Sequence, residues 1–137
     1  MTFPANCIRG IPHDDYLNAE GNVNSHLFHF NLDPNSGWKK QSINWEDDNT
    51  VIEFTLKQKK DNDELQFKTG VAVILRSEID RLNQRPTVEN LLSYERDSLD
   101  LENPYHGNIL LQPHTSKRTM KVLAAGLALA VSKVVLR

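Results

Sequence analysis

The sequence predicts a single α+β domain in which a mixed or antiparallel sheet is packed by a buried C-terminal helix. Three observations support this class. Residues 71–75 form a continuous apolar stretch, which is typical of a central strand. Shorter stretches before it alternate apolar and polar residues, as strands with one buried face do. The apolar segment after Pro113 is long enough to be a helix.

The bulk composition describes one globular domain spanning residues 1–137. Hydrophobic residues make up 39% of the 137-residue chain and charged residues 25%, which is a globular rather than a disordered composition. The formal net charge is −2. Because dedicated nucleic-acid binders usually carry a strong basic excess, we expect no nucleic-acid partner.

The N-terminus and the apolar runs predict a cytoplasmic protein with no membrane partner. The first residues contain neither a basic start nor an apolar core of a signal peptide. The longest apolar run, residues 122–131, is about half of the ~20 residues that a spanning helix needs. The single cysteine, Cys7, cannot form an internal disulfide, and we expect it to be buried and unreactive.

The first half of the chain predicts strands. Residues 7–11 form a short first strand, and the alternation over residues 25–30 predicts another. Residues 50–60 are ambiguous between strand and helix. The acidic residues before them suit a helix N-terminus, but the β-branched content favours a strand.

The second half predicts alternating strands and helices. A strand is expected over residues 65–75, followed by a short helix that Ser77 caps and that ends near residue 82. Residues 87–94 suit a short helix or a turn, and residues 106–112 a late strand.

The final segment predicts the most regular helix of the chain. It is expected to begin at Thr115 or Ser116 as N-cap and to end near residue 135. Apolar side chains cover most of its circumference, and five small residues would allow close packing. Because such a helix is buried in its own core or against another chain, we expect a protein partner or a homo-oligomer through this helix.

Two polar blocks are the densest candidate sites. In residues 42–48, Ser42, Asn44 and Trp45 could form the wall of a cleft, with Trp45 stacking on a ring. The alternative is a capped turn with Trp45 as a core anchor.

The second block spans residues 103–108. His106 is the side chain best suited to proton transfer near neutral pH. Asn103, Tyr105 and Asn108 could contact a ligand, and Gly107 would allow a close approach. The alternative is a turn that leads into a strand.

A third candidate lies at the start of the final helix. Ser116, Lys117 and Arg118 combine a hydroxyl, two cations and free helical N–H groups, which together suit a phosphorylated small molecule. The alternative is a set of solvated charges flanking a buried helix.

The residue types also allow a nucleotide-acting transferase or hydrolase. An arginine on an early strand, a later serine and a distal acid follow the general layout of ADP-ribosyltransferase-like sites, and Arg9, Ser25 or Ser42, and Glu53 fit this order. His106 would be the acid or base of such an enzyme.

A metal-dependent nuclease is the second enzyme alternative. Gln66 and Lys68 form a short signature on a strand, for which Asp47, Asp48 or Glu53 could be the upstream acid. The same two side chains would also suit the solvent face of a strand.

No metal site and no particular cofactor are predicted. His26 and His29 would point to opposite faces of a strand, and no pair of cysteines completes a site.

The blocks Arg9-Gly10-Ile11, Ser42-Ile43-Asn44-Trp45 and Asn103-Pro104-Tyr105-His106 resemble a group of small bacterial proteins. Those proteins carry Ser-(Ile/Val)-Asn-Trp and Asn-Pro-x-His blocks, and no activity is known for them. The resemblance implies a stand-alone bacterial domain encoded within a multi-gene system. It transfers no catalytic residue.

Since no complete catalytic constellation can be assembled from the sequence, a non-enzymatic binding or accessory module of an intracellular prokaryotic multi-component system is the leading hypothesis. The transferase or hydrolase and the nuclease are the alternatives.

Overall fold

The computed structural model describes residues 2–99 and 101–137. Within them, seven antiparallel strands form one sheet, with three α-helices and two short 3-10 turns. The strands are β1 Asn6–Ile11, β2 Asn31–Leu32, β3 Lys39–Trp45, β4 Gly70–Leu75, β5 Leu92–Arg96, β6 His106–Leu111 and β7 Val131–Leu136. The helices are α1 Val51–Leu56, α2 Arg76–Asn83 and α3 Lys117–Leu129, and the 3-10 turns are Asp14–Tyr16 and Ser25–Phe28.

The strand order is β5-β6-β3-β1-β4-β7, and β2 pairs with β3 outside this path. This arrangement confirms the predicted α+β class, with an antiparallel sheet and a C-terminal helix that packs on it. The predicted strands near residues 7–11 and 106–112 are present as β1 and β6.

One face of the sheet, the helical face, holds most of the core. Helices α2 and α3 cover it with the buried side chains of Ile79, Leu82, Leu123 and Leu127. The buried strand residues of this cluster are Cys7, Ile11, Ile43, Trp45, Ala72, Ile74, Leu92, Ile109 and Leu111. Burial raises the pKa of the Cys7 thiol to about 12, although the nearby Arg9 acts in the opposite direction.

The other face, the polar face, is only partly covered. Helix α1 packs its buried Val51 on Ile8, Val71 and Val73, which lie on β1 and β4. Over β3, β6 and β5 this face carries polar side chains instead.

Strands β1 and β3 pair over only two residue pairs, Cys7 with Trp45 and Ile8 with Asn44. Beyond this contact the two strands separate, and β2 takes the neighbouring position beside β3 through Asn31 and Leu32.

Side chains bridge the gap that this separation leaves. The Arg9 guanidinium donates Nε–H to the Leu27 carbonyl at 3.0 Å and Nη1–H to the Ser42 carbonyl at 2.6 Å. The Gln41 amide donates to the Phe28 carbonyl at 2.6 Å. The 3-10 turn Ser25–Phe28 is therefore held against β1 and β3 by side chains rather than by a strand ladder.

The preference for a strand over residues 50–60 was wrong, because residues Val51–Leu56 form α1. The Asp48 carboxylate accepts from the Thr50 N–H at 2.8 Å just before the helix begins. Val51 and Thr55, four residues apart, are both buried. Burial of this helical face outweighs the weak preference of β-branched residues for strands.

The strand expected over residues 25–30 was also wrong. Residues Ser25–Phe28 form a 3-10 turn, which Asn24 caps by accepting from the His26 N–H. Leu27 and Phe28 are both buried although they are adjacent. A strand would send neighbouring side chains to opposite faces, so it could not bury both on one side.

The final helix is shorter than expected. Ser116, one of the two residues predicted for this position, is the N-cap, and its hydroxyl accepts from the Thr119 N–H. The helix ends at Leu129, and residues Val131–Leu136 add strand β7 to the edge of β4. The β-branched valines of this segment favour the strand, and β4 offers an open edge for pairing.

The helix is also less buried than expected. Only Leu123 and Leu127 are fully buried in α3, while Val122 is 45% and Leu129 84% exposed. The exposed Val122 and Leu129 give the predicted contact with a partner chain an apolar surface on this helix.

Two smaller boundaries differ from expectation, and at a third segment the structure has the turn rather than the short helix of the two alternatives. The strand predicted over residues 65–75 begins only at Gly70, because the preceding residues form a loop. Helix α2 begins at Arg76 after Leu75, so Ser77 lies inside it and is not its cap. Residues 87–94 form a turn followed by the start of β5.

Trp45 is the largest fully buried side chain, and its position requires a glycine on the adjacent strand. The indole ring stacks on Phe3 at 4.9 Å and donates Nε1–H to the Glu95 carbonyl at 3.1 Å. A Cβ on Gly107 would lie 2.2 Å from the indole nitrogen. Gly107 therefore permits the close approach that was expected of it, but toward the core rather than toward a ligand.

We predict that Gly107→Ala lowers the free energy of unfolding by about 2–4 kcal/mol, because the methyl group displaces the indole and breaks its hydrogen bond. Gly126→Ala is the matched control. Its added Cβ would lie 2.7 Å from Cδ1, the end of the Leu82 side chain, rather than against a ring or backbone, and alanine favours the helix. Urea unfolding should show a change within about 1 kcal/mol for this control. Equal stabilities of the two variants would contradict the prediction.

Candidate functional site

The candidate site is a cleft on the polar face, directly over the gap between β1 and β3. Its volume is about 200 Å³. Ile8 and Gly10 line it from β1, and Ser42 and Asn44 from β3. The loop after α1 and the loop before β6 form its walls, with Gln58, Gln66, Phe67, Leu99, Asn103 and His106. We call it the polar cleft.

The back of the polar cleft is a buried network of side-chain amides centred on Asn44. The Asn44 amide donates to Thr55 Oγ1 and to Gln58 Oε1, each at 2.8 Å. Asn103 donates its amide N–H to Asn44 Oδ1 at 2.8 Å, and Asn103 Oδ1 accepts from the Tyr105 N–H at 3.1 Å. This network ties α1 and the 103–105 loop to β3.

Because Asn44 uses both N–H groups and its oxygen inside the protein, its first role is structural. Asn103 is likewise buried and bonded. Tyr105 packs edge-on against Phe54, with ring centroids 5.1 Å apart. Asn44 and Asn103 therefore line the cleft without offering it free groups, and Tyr105 lies outside the cleft lining.

Other side chains of the polar cleft are free to bind. Among the described residues, neither the Ser42 hydroxyl nor the Gln66 side-chain amide has a hydrogen-bond partner. Phe67 and Leu99 add apolar surface. No lysine, arginine, aspartate or glutamate of the described chain lines the cleft, so it suits an uncharged ligand with hydrogen-bonding groups.

His106 lies at the mouth of the polar cleft and is oriented by Asp97. Its Nδ1 lies 2.9 Å from the Asp97 carbonyl oxygen and 3.6 Å from the Asp97 carboxylate. The side chain is only 16% exposed. A carbonyl at this distance favours a proton on Nδ1, which leaves Nε2 as the acceptor.

A short row of charges lies beside the cleft on the same face. Asn108, opposite Ser42 in the ladder, donates to Glu95 Oε1 at 2.7 Å. Lys40 contacts Glu95 at 3.3 Å and Asp33 at 3.1 Å. The hydrogen bond to Asp33 raises the pKa of Lys40, and the Asn35 N–H and Lys40 lower that of Asp33. One lysine is shared by two carboxylates, so the row has one negative charge in excess, and Glu95 holds Asn108 in place.

The structure does not bring Arg9, Glu53 and His106 together. Arg9 lies on the helical face with its guanidinium bonded to two backbone carbonyls. Burial lowers its pKa to about 10, so it stays charged at neutral pH. Glu53 lies on the exposed side of α1 and contacts Lys57 at 3.3 Å. The transferase layout therefore has no common pocket.

Trp45 also lies apart from the cleft. In Ser42-Ile43-Asn44-Trp45, consecutive side chains face opposite sides of β3, and Trp45 is 0% exposed on the helical face. It cannot stack on a ligand from solution. Its role matches the core anchor that the sequence also allowed.

The residues proposed for a nuclease are engaged separately. Arg96 holds Asp47 with two hydrogen bonds at 3.0 and 2.6 Å, while Asp48 bonds Thr50. Lys68 contacts Glu64 at 3.6 Å. Over residues 2–99 and 101–137, no group of three or more histidine, cysteine, aspartate or glutamate side chains could hold a metal ion.

The third candidate, at the start of α3, lies on the helical side. The Ser116 hydroxyl already accepts from the Thr119 N–H at 3.1 Å, so one helical donor is occupied. Lys117 and Arg118 are exposed.

Several residues of the site were not anticipated. Gln58, Phe67, Leu99 and Asp97 were not among the candidates. A helical assignment of residues 51–56 would have indicated Gln58, because Val51, Thr55 and Gln58 then share one face. The pairing of Asp97 with His106 depends on the loop between β5 and β6, which no local pattern predicts.

Comparison of the chain with protein-family models, with curated proteins and with solved structures finds no match in any of the three. The described residues contain no helix with the length and apolar character required to cross a bilayer. The resemblance to small bacterial proteins rests on the short sequence blocks alone.

We predict that Asn44→Ala lowers the free energy of unfolding by about 2–4 kcal/mol, because it leaves Gln58 and Asn103 without their buried partner. Hydrogen exchange should also accelerate in residues 51–58, since α1 loses its tie to β3. Asn31→Ala, at an exposed strand position, is the matched control and should change stability by less than about 0.5 kcal/mol. If hydrogen exchange accelerated evenly over the whole sheet, Asn44 would not act specifically as the tie between α1 and β3.

Proposed function

We propose that the protein is a non-enzymatic binding module that takes an uncharged polar ligand into the polar cleft. In this proposal it is a cytoplasmic accessory component of a prokaryotic multi-component system. The prokaryotic and multi-component parts rest on the resemblance of the Ser42 and Asn103 blocks to those of small bacterial proteins.

The lining of the cleft is the observation that supports the binding role, because its free hydrogen-bonding groups are neutral and lie beside apolar side chains. The Ser42 hydroxyl, the Gln66 amide and the imidazole of His106 face a space of about 200 Å³ between Phe67 and Leu99. Sites for small ligands commonly combine apolar walls with a few placed polar groups. The absence of charged lining residues in the described chain disfavours phosphates and carboxylates here.

The volume limits what can enter. A space of about 200 Å³ accommodates one sugar ring or one to two peptide residues. The ligand class that matches the lining bears amide or hydroxyl groups. A polar segment of a partner protein and a free small molecule share this chemistry.

The separation of Arg9, Trp45 and Glu53 from His106 supports a binding role over the transferase layout. Arg9 and Trp45 lie on the helical face of the sheet, opposite His106. Glu53 lies on the exposed side of α1. A phosphorylated nucleotide would need cations that the cleft lining does not provide.

We predict that two neutral probes perturb the amide NMR signals of the cleft residues. The probes are N-acetylglucosamine and the N-acetylated, C-amidated dipeptide of serine and glutamine. A capped dipeptide of two aspartates should perturb these signals least. Its carboxylates would lose their hydration in the cleft without finding a cation to pair with. Comparison of the two neutral probes separates a sugar-like ligand from a peptide segment.

Ser42→Leu should lower the affinity for the tighter-binding neutral probe at least about tenfold, because it removes a hydroxyl and fills part of the cleft. Ser93→Leu is the matched control, since Ser93 lies on the same sheet face but does not line the cleft. The control should bind as the unchanged protein does. An equal response to the aspartate dipeptide, or equal losses in both variants, would overturn the proposal.

A hydrolase is the second candidate, and the contact between Asp97 and His106 favours it. Ser42 lines the same cleft on the neighbouring strand, two register positions from His106 and on the same face. Ser42 Oγ would attack the carbonyl carbon of an ester, His106 Nε2 would take its proton, and the alcohol would leave with that proton. Water would then release the acyl group.

A fluorophosphonate probe tests this candidate, because it labels activated serines and releases fluoride. The hydrolase predicts labelling of Ser42 that Ser42→Ala and His106→Ala abolish and that Ser93→Ala leaves intact. Absence of labelling in the folded, unchanged protein would exclude a serine hydrolase and leave the binding role.

A further inference from the structure

A second groove lies on the helical side, between the 3-10 turn Ser25–Phe28 and the first turns of α3. Its volume is about 690 Å³. Apolar and aromatic side chains contribute to it, including those of Tyr16, Phe28, Phe30 and Met120. We call it the α3 groove. It has no lining residue in common with the polar cleft.

Every ionisable side chain that lines this groove, apart from the Tyr16 phenol, is basic. His26 and His29 line one wall of the groove, and Lys117 and Lys121 line the other. Among the described residues, none of the four lies within 4.0 Å of an acidic side chain. Of the seven lysines outside the groove, Lys40, Lys57, Lys59 and Lys68 have acidic partners. Within the described residues, Lys39, Lys60 and Lys133 have none, but they do not line an apolar groove with a second cation. The groove lining therefore carries two lysine charges that no acidic side chain of the described residues contacts.

The two lysines are also placed unfavourably for the helix itself. Lys117 occupies the first turn of α3, where a cation opposes the helix dipole. Lys121 follows four residues later on the same side, so the two like charges are neighbours. An anionic partner would relieve both interactions at once.

The chemistry fits carboxylates on a protein segment better than a single phosphate. Lys117 and Lys121 are separated by about 6 Å along the helix axis, with apolar surface beside them. Arg118, whose guanidinium could chelate a phosphate, does not line the groove. The Ser116 hydroxyl already occupies the Thr119 N–H at the helix start.

We propose that the α3 groove is the docking site for an acidic, amphipathic segment of a partner protein. Apolar side chains of that segment would pack on the half-buried Tyr16, Met120 and Ala124. Phe28 and Phe30, which also line the groove, are themselves buried. Its carboxylates would pair with Lys117 and Lys121 on one wall and with the histidines on the other. This site goes beyond the proposed function, because ligand binding in the polar cleft does not require it.

The test uses a fluorescein-labelled amphipathic peptide in which leucine and phenylalanine form one side of a helix and glutamates the other. Fluorescence anisotropy with the full chain should show saturable binding. The affinity should fall as the salt concentration rises from about 0.05 M to about 0.5 M. A peptide with glutamine in place of every glutamate should bind at least about tenfold more weakly.

The double variant Lys117→Glu/Lys121→Glu should lose at least about tenfold in affinity for the acidic peptide. Arg118→Glu is the matched control, because it reverses a charge in the same helical turn outside the groove. It should retain most of the affinity. Circular dichroism and the NMR response of the polar cleft report whether each variant is folded, so loss of this site is distinguishable from loss of the proposed function.

Three results would overturn the proposal. Equal affinities for the glutamate and glutamine peptides would show that charge does not select the occupant. Competition by inorganic phosphate at concentrations that leave ionic strength unchanged would indicate a phosphate site. A concentration-dependent dimer in sedimentation, abolished by the Lys117→Glu/Lys121→Glu change, would make a second copy of the chain the occupant.

Discussion

The early separation of β1 from β3 is the constraint on which both candidate sites depend. The two strands pair only at Cys7–Trp45 and Ile8–Asn44, near the end of β3. Beyond that point Arg9 and Gln41 bridge to the turn Ser25–Phe28. On one face this turn forms a wall of the α3 groove, and on the other face the gap becomes the floor of the polar cleft.

The residues that hold the cleft together differ from those that are free to bind. Asn44 satisfies all of its hydrogen-bonding groups within the protein, and by doing so it fixes α1 and the 103–105 loop on β3. The Ser42 hydroxyl, two residues earlier on the same face, stays unengaged among the described residues. The hydrogen-bonding groups of this back wall are paired within the protein, which makes the wall rigid. A rigid wall lowers the entropy cost of holding a few free groups in position for a ligand.

The sequence predicted the fold class and several elements because their signals are local. The apolar run ending in Leu75 identifies a buried strand, and Ser116 identifies a helix start through its cap. It also singled out Ser42, Asn44, Asn103 and His106, and these four line one cleft. It could not assign Arg9 to the opposite face of the sheet from His106, because that depends on strand order and register.

Composition and local patterning therefore determined the α+β class, the cap of α3, and which short blocks are rich in polar side chains. Tertiary structure decided that residues 51–56 are helical, that residues 131–136 form an edge strand, and that Trp45 is a core residue rather than a cleft residue. The physical reason is that these outcomes depend on long-range burial and on pairing with β4. Such contacts can outweigh intrinsic propensities of less than about 1 kcal/mol per residue.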